Sequence, residues 1–348
     1  MTKARPVLLA LLLGLIGAQV FTWLHTPLPW LIGPLFVTAL VGLAGKALHC
    51  PVPFRQAGQW AIGTVLGLYF TAPVLQILLS NISVAILSLL FSITLGAFSG
   101  WLLHKIAGID RTTGFFAMAL GGASEMATQA ERYGANIQQV AAAHSVRVVL
   151  VVFLIPFVFQ LSGVHGQDLF LPGSREVVVW GLLILVILTC CGGILLTRLG
   201  VANAWVIGPM LVAICLTAFG VRLSAMPEWV VHLSQLFIGI SLGTRFTPAF
   251  LRTAPRFLFS VLLCCLITLT LAAGFGYFLG WISQLHPATV ILAMAPGGIA
   301  EMSLTAKNLQ LGVPVVTAFH VMRMVGLVML IGPLFRATKK IGFAIGRR

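Results

Sequence analysis

Two glutamates stand inside runs of apolar residues. The chain has seven acidic residues, Asp110, Glu125, Glu131, Asp168, Glu176, Glu228 and Glu301, and only Glu125 and Glu301 fall well within apolar segments. Each follows a glycine pair, Gly121-Gly122 in "AMALGGASEM" (117–126) and Gly297-Gly298 in "AMAPGGIAEM" (293–302). An ionisable group at that depth is costly and is a functional hypothesis by default. Beside water, the carboxylate could hold a proton or a sodium ion and couple it to another event. The plainer reading is a first-turn acid that complements a helix dipole, or a partner for an arginine.

A second constellation lies downstream. His144 and Arg147 in "AHSVRVV" recur as His320 and Arg323 in "FHVMRMV". Spacing of three puts both side chains on one helix face. Arginine binds a carboxylate through a two-pronged contact, and histidine relays protons near neutral pH. The structural alternative pairs Arg147 with Glu125 and Arg323 with Glu301, neutralising the interior without touching a solute.

The glycines bear on how these groups meet. Non-helical backbone at membrane depth is tolerated only where protein buries it or water reaches it. Glycine permits tight turns, so Gly121, Gly122, Gly297 and Gly298 are expected at the tips or breaks of two special segments. Pro296 strengthens the second break. Such breaks free the N-termini of half-helices, whose dipoles favour an anion. The candidate solute site is therefore these four glycines with Arg147 and Arg323. The candidate ion-coupling set is Glu125, Glu301, His144 and His320.

These motifs belong to a repeat that runs the length of the chain. "WLIGP" (30–34) returns as "WVIGP" (205–209), and "QWAIGTVLGLYFT" (59–71) as "QLFIGISLGTRFT" (235–247). The glycine-pair segments share seven of ten residues at an offset of 176 (297 − 121). The halves are residues 1–172 and 173–348, each with six apolar segments. Gly63-x-x-x-Gly67 and Gly239-x-x-x-Gly243 read as small-residue faces for close helix packing. The W-x-I-G-P pairs read as starts of short helices, with Trp30 and Trp205 near the membrane interface.

Charge distribution then orients the halves. If all twelve segments cross, 13 Lys/Arg fall inside and five outside. If the glycine-pair segment of each half dips in and returns, the split becomes 15 to three. Positive charge favours the cytoplasmic side, so the second arrangement is preferred. The expected fold is all-α and polytopic: two inverted repeats of about five transmembrane helices each, plus one Gly-Gly re-entrant or broken helix per repeat. Inverted repeats with interrupted helices are the pattern of secondary transporters.

Composition agrees. Of 348 residues, 59% are hydrophobic and 8% charged, with a mean hydropathy of +1.06, against about 25% charged in soluble domains. The net charge of +14 sits between apolar segments and at the tail, which argues against nucleic acid as a partner. The N-terminus imitates a signal peptide but is read as a retained first span, because the second half has its counterpart. Five of the six cysteines lie in apolar runs and read as small buried residues rather than disulfides or metal ligands. No P-loop, H-E-x-x-H, CxxC or serine elbow is present. No cofactor, metal or catalytic residue is assigned, and the chain is not read as an enzyme.

The doubled "GGASEM…HSVRVV" and "PGGIAEM…HVMRMV", with "WLIGP" and "WVIGP", resemble the AbrB family of bacterial integral membrane proteins. That family also carries an ammonia monooxygenase label, and is distinct from the small DNA-binding regulators that share its name. The resemblance covers nearly the whole chain, and matches the family at the glycine pairs, Arg147 and Arg323. It implies a multi-pass protein of the inner membrane linked to regulation of gene expression, and the charge count places both termini in the cytoplasm. A more distant likeness to glutamate and citrate secondary transporters implies a small organic anion as solute. Three functions follow in order: secondary transport of such a solute coupled to a proton or sodium, a membrane-embedded sensor or regulator, and a membrane monooxygenase. The last would need clustered His, Met or carboxylate ligands. The partners are the solute and the bilayer, and a homo-oligomer is left open.

Overall fold

Proline and glycine punctuate the helices. In the computed structural model, which describes residues 4–164, 166, 176–201, 203–248, 255–283 and 285–340, the described residues form fifteen helices. The first half contains α1 (Ala4–Trp23), α2 (Pro29–Leu43), α3 (Val52–Gly67), α4 (Ala72–Ser80), α5 (Ile82–Ala107), α6 (Arg111–Met118), α7 (Ala123–Arg132) and α8 (Ile137–Leu161). The second contains α9 (Val179–Arg198), α10 (Ala204–Ala218), α11 (Glu228–Gly243), α12 (Pro255–Ser283), α13 (Pro287–Met294), α14 (Ile299–Asn308) and α15 (Val313–Lys340). Helices α9–α11 repeat α1–α3, and α12–α15 repeat α5–α8. The join near residue 172 lies outside the described residues.

The W-x-I-G-P motifs do start short helices. The residue preceding each, Leu28 or Asn203, is left-handed (φ 48° and 51°), which turns the chain sharply into α2 and α10. Both helices have 15 residues, roughly 22 Å at 1.5 Å per residue, short of a core about 30 Å thick.

Six helices, α1, α5, α8, α9, α12 and α15, are long and apolar enough to cross a membrane. The continuous apolar stretch over 57–78, long enough to suggest one span, is instead shared between α3 and α4, which are bent by 86°. Pro73 in the first turn of α4 is the available signal, since proline is tolerated there and restricts the residue before it. Counting that pair as one span gives seven, against the ten full crossings expected. Leu8, Leu12 and Ile16 on α1 and Leu183, Ile184 and Ile187 on α9 are exposed. Helices apolar on their outer as well as their inner faces belong in lipid. The chain is therefore an all-helical, multi-pass membrane protein.

The chain divides into two compact units, each built from segments of both halves. The first unit comprises Met1–Ser80, Pro156–Pro248 and Ser303–Pro314. Within it α1 packs on α2 and α9 on α10, while α3 packs on α10 and α2 on α11. The α1 segment is thus an integral part of the fold, with Ala10, Gly14, Gly17 and Ala18 buried. A Cβ on Gly67 would lie 2.5 Å from the Met210 carbonyl oxygen, and one on Gly243 2.5 Å from that of Leu35. Leu35 and Met210 are themselves equivalent. The contact is therefore exchanged between the halves, as a two-fold relation requires, and the G-x-x-x-G faces pack backbone on backbone as expected.

The second unit comprises Asn81–Ile155, Ala249–Met302 and Val315–Arg348. Here α5 packs on α6, α12 on α13, and α5 on α12. The α5–α12 crossing carries a buried Ser99–Thr268 hydrogen bond of 2.7 Å and a stacked Phe91–Phe275 pair. Both glycine-pair segments lie in this unit.

Candidate functional site

Helices α6 and α13 each have eight residues, and α7 and α14 each have ten. Each pair is one apolar segment broken in the middle. The α6 start is fixed by Asp110, whose carboxylate accepts from the Thr113 amide at 2.8 Å. That aspartate is an N-cap, a signal readable in "IDRTTG" but not used above.

The breaks are extended backbone. Ala119 (φ −55°, ψ 131°) ends α6 and Ala295 (φ −55°, ψ 138°) ends α13. Gly122 (φ −68°, ψ 143°) opens α7. These are conformations any residue adopts, and the glycines at positive φ, such as Gly108 and Gly134, lie elsewhere. The expectation of tight glycine turns at the breaks is thus corrected: the backbone there is extended, and room for a side chain is short mainly at Gly297. A Cβ on Gly121 would lie 2.9 Å from Met126 Cε, and one on Gly297 would lie 2.6 Å from Met302 Cγ and 3.0 Å from Val151 Cγ1. Met126 and Met302 are equivalent and fully buried, so the motif's final methionine packs beneath its first glycine. A Cβ on Gly298 would strike a carboxylate oxygen of Glu301.

Extended backbone leaves carbonyls without helical partners, and each needs a donor. Arg147 Nη1 donates to the Ala119 carbonyl at 2.7 Å, and Nη2 to that of Gly121 at 3.0 Å. Arg323 repeats this on Ala295 (2.8 Å) and Gly297 (3.0 Å). Both arginines are only 4% exposed. The two-pronged contact anticipated for a carboxylate is made here to backbone. Each fork is engaged by the carbonyls of the break beside it.

The glutamates occupy the third position of α7 and α14, in the first turn of each. A carboxylate there complements the positive end of the helix, and Glu301 folds back over Gly298. The reachable positions are few. Gly121, Gly122, Glu125, Gly297, Gly298 and Glu301 are half-buried, whereas Ala119, Leu120, Ala295 and Pro296 around them are buried.

The histidines are fully enclosed, at 0% and 1% exposure, and they differ. His144 Nε2 meets the Phe116 carbonyl at 2.9 Å, and its Nδ1 meets Arg147 Nη2 at 3.0 Å. A carbonyl accepts and a guanidinium donates, so the ring is neutral with its proton on Nε2. His320 instead turns Nδ1 to the Val316 carbonyl at 2.9 Å, four residues back in its own helix.

The two breaks are neighbours within this unit. Val151, one turn after Arg147 on α8, packs against Gly297, its Cγ1 3.0 Å from where a Cβ would stand. All ten candidate residues therefore gather around two equivalent breaks, with the glycines and glutamates accessible and the arginines and histidines behind them.

Comparison with known proteins agrees with this reading of the motifs. A protein from Escherichia coli (strain K12) named "Putative regulator AbrB" is 25% identical over 319 residues, covering 90% of each chain. "Uncharacterized protein YhjN" from Bacillus subtilis (strain 168) is 28% identical over 340 residues, covering 88% of this chain and 86% of its own. The family model described as "Transition state regulatory protein AbrB" matches residues 30–339, so the chain belongs to the AbrB family of membrane proteins.

Proposed function

We propose that the protein is a secondary transporter of a small organic anion in the bacterial inner membrane, with both termini cytoplasmic. The observation that carries this reading is the doubled break: two half-helix N-termini whose accessible groups are a glycine pair and a glutamate, each held by a buried arginine. Amides at a helix start attract an anion, and the glycines bring a solute close to them. The arginines act from behind, contributing positive charge without being consumed by the solute.

Charge balance supplies the coupling. Two guanidiniums and two carboxylates cancel when all are ionised. A proton or sodium ion on Glu125 and Glu301 leaves the breaks positive, and an anion is then admitted. Cation and anion would enter together. Alternating access also needs two bodies that can move, and in transporters built from repeats these are commonly assembled from both halves. The division into two units with segments from each half is consistent with that requirement.

The test is uptake of radiolabelled short carboxylates into proteoliposomes under an imposed proton or sodium gradient. The parent should accumulate at least one of them. The Glu125→Gln and Glu301→Gln variants should lose gradient-driven accumulation while retaining exchange of the same solute. Gradient-driven uptake undiminished in both variants would remove the glutamates from the coupling. Absence of uptake of every carboxylate, with no thermal stabilisation by any of them, would remove the transport reading itself.

A second reading draws on the name of the Escherichia coli relative. The same site could serve a membrane-embedded regulator that binds such a solute without moving it. Expression changes that persist in a transport-dead variant would select it.

A further inference from the structure

Five cations share one end of the second unit. Lys105 lies in the last turn of α5, Arg111 starts α6, Arg132 ends α7, Arg256 stands in the first turn of α12, and Arg336 is near the end of α15. Arg111 is half-buried and the other four are exposed.

Packing brings these segments together. The Asn136 amide, just past α7, donates to Thr113 Oγ1 in the first turn of α6 at 2.9 Å. The α6–α7 hairpin therefore returns to the level at which it began. Tyr133, next to Arg132, stacks on Phe116 with ring centroids 5.6 Å apart. Phe335, next to Arg336, lies 4.8 Å from the Tyr133 ring and 5.4 Å from that of Phe115. One aromatic cluster thus holds the ends of α7 and α15 against α6. His104 Nδ1 lies 2.6 Å from the Ile109 carbonyl oxygen, which closes the turn between α5 and α6. The α5–α12 crossing is antiparallel, with Phe91 on Phe275 and Ser99 on Thr268. The start of α12 accordingly lies at the end of α5.

Helix length sets the depth of this end. Lys105 and Arg336 each stand 23 residues after the first residue of their helix (105 − 82 and 336 − 313). That is roughly 35 Å at 1.5 Å per residue, beyond a hydrocarbon core about 30 Å thick. Trp101, one turn before Lys105, is exposed, and tryptophan favours the membrane–water interface. The cations therefore stand at the level of lipid head groups.

The duplicated scaffold does not account for them. At the 176-residue offset their equivalents are Trp281, Pro287, Asn308, Ser80 and Gln160, none of them charged. Two acids share the end, Asp110 and Glu131, and the Asp110 carboxylate already accepts from the Thr113 amide. Lys339 and Lys340 in the last turn of α15 add to the excess, and no acidic residue follows Glu301 in the chain. The positive-inside rule accounts for a charge bias between loops. It does not require cations from five segments to converge around one aromatic cluster.

We propose that this end of the second unit is a binding surface for the phosphate head groups of anionic phospholipids in the cytoplasmic leaflet. Basic clusters at the cytoplasmic end of a span attract such lipids, and the arginine fork matches a phosphate through two parallel bonds. The inference is independent of what passes the breaks.

The experiment uses the full chain purified in a neutral detergent. Its unfolding midpoint is followed while short-chain phosphatidylglycerol, or phosphatidylcholine with the same acyl chains, is titrated in. Phosphatidylglycerol should stabilise at a roughly tenfold lower concentration. The preference should fade in 1 M salt, where the screening length falls to about 3 Å. Combining Arg132→Gln, Arg336→Gln, Lys339→Gln and Lys340→Gln should remove most of it. Arg198→Gln with Arg222→Gln, at exposed positions of the other unit, should leave it intact.

Equal stabilisation of the parent by both lipids would overturn the proposal. A preference undiminished in the fourfold variant would take the surface away from this end. Equal stabilisation by glycerol phosphate in solution would replace the lipid with a soluble phosphate ester. Stronger stabilisation by a short DNA duplex would replace it with nucleic acid, and either result would overturn the assignment. The parent's comparison of the two lipids decides the matter even where a variant fails to fold.

Discussion

The break at 119–122 and the break at 295–298 share one plan and diverge at one place. Their arginines reach equivalent carbonyls at nearly the same distances, 2.7 and 3.0 Å in the first and 2.8 and 3.0 Å in the second. Their final methionines both lie fully buried beneath the first glycine. The histidines part company. His144 ties its arginine to the last turn of α6, whereas His320 bonds within its own helix. What holds the broken backbone is the same in both repeats, and what is left over differs. A duplicated scaffold can in this way keep its backbone support while the side chains behind it diverge.

The arginines test the shared part, and there the largest effect is expected. Arg147→Gln strands the Ala119 and Gly121 carbonyls and the Nδ1 lone pair of His144. Arg323→Gln strands only carbonyls. Bonds from a charged donor contribute about 1.5–3 kcal/mol each, and a stranded buried acceptor costs a similar amount. Each substitution should therefore destabilise by roughly 3 kcal/mol or more, with the first-repeat variant the worse. Lysine should not rescue either, because a point charge cannot span two carbonyls as a planar fork does. Unfolding titrations in mixed micelles measure this. Equal and small losses would show that the arginines do not hold the breaks.

The histidines test the divergent part, with a smaller effect. His144→Phe leaves the Phe116 carbonyl and one Arg147 N–H without partners and should cost about 1–3 kcal/mol. His320→Phe removes a bond to a carbonyl that the α15 ladder already serves, and should cost under about 1 kcal/mol. The same titration compares them. Identical costs would mean that the two rings are equivalent in solution, against the asymmetry described here.

Much of this was legible before any coordinates. The register of the repeat placed both breaks, because few groups other than glycine, proline and glutamate interrupt these apolar runs. The W-x-I-G-P starts and the G-x-x-x-G faces also fell where their residue types require. The partners of Arg147 and Arg323 were not legible. Backbone carbonyls carry no letter in a sequence, and only the extended path of the break exposes them to the two guanidiniums. The bend after α3 was missed although Pro73 marked it, because the hydropathy of 57–78 runs on without a gap. The inequality of His144 and His320 lies in rotamers, which the shared H-x-x-R pattern does not encode.

One comparison remains, and it concerns orientation. Glu131 and Lys307 are equivalent positions (307 − 131 = 176), in the last turn of α7 and of α14. Inverted repeats put them on opposite sides of the membrane, and parallel repeats put them on the same side. Glu131→Cys and Lys307→Cys should therefore react with an impermeant maleimide from opposite faces, the first from inside and the second from outside. Cys50, in the loop between α2 and α3, need not interfere. Burial pushes its thiol up to about 11, with Arg55 pulling in the other direction. At pH 7 roughly one part in ten thousand is thiolate, the form that reacts, and that share rises tenfold per pH unit until about pH 11. Its background labelling should be slow at pH 7 and grow steeply with pH, and should become fast in denaturing detergent, where the ordinary thiol value returns. Glu131 is exposed and Lys307 half-buried, so the cysteine at 307 is expected to label more slowly than the one at 131. Reaction of both from one face would fix the repeats as parallel and overturn the charge-based inversion, and reaction from opposite faces would establish it.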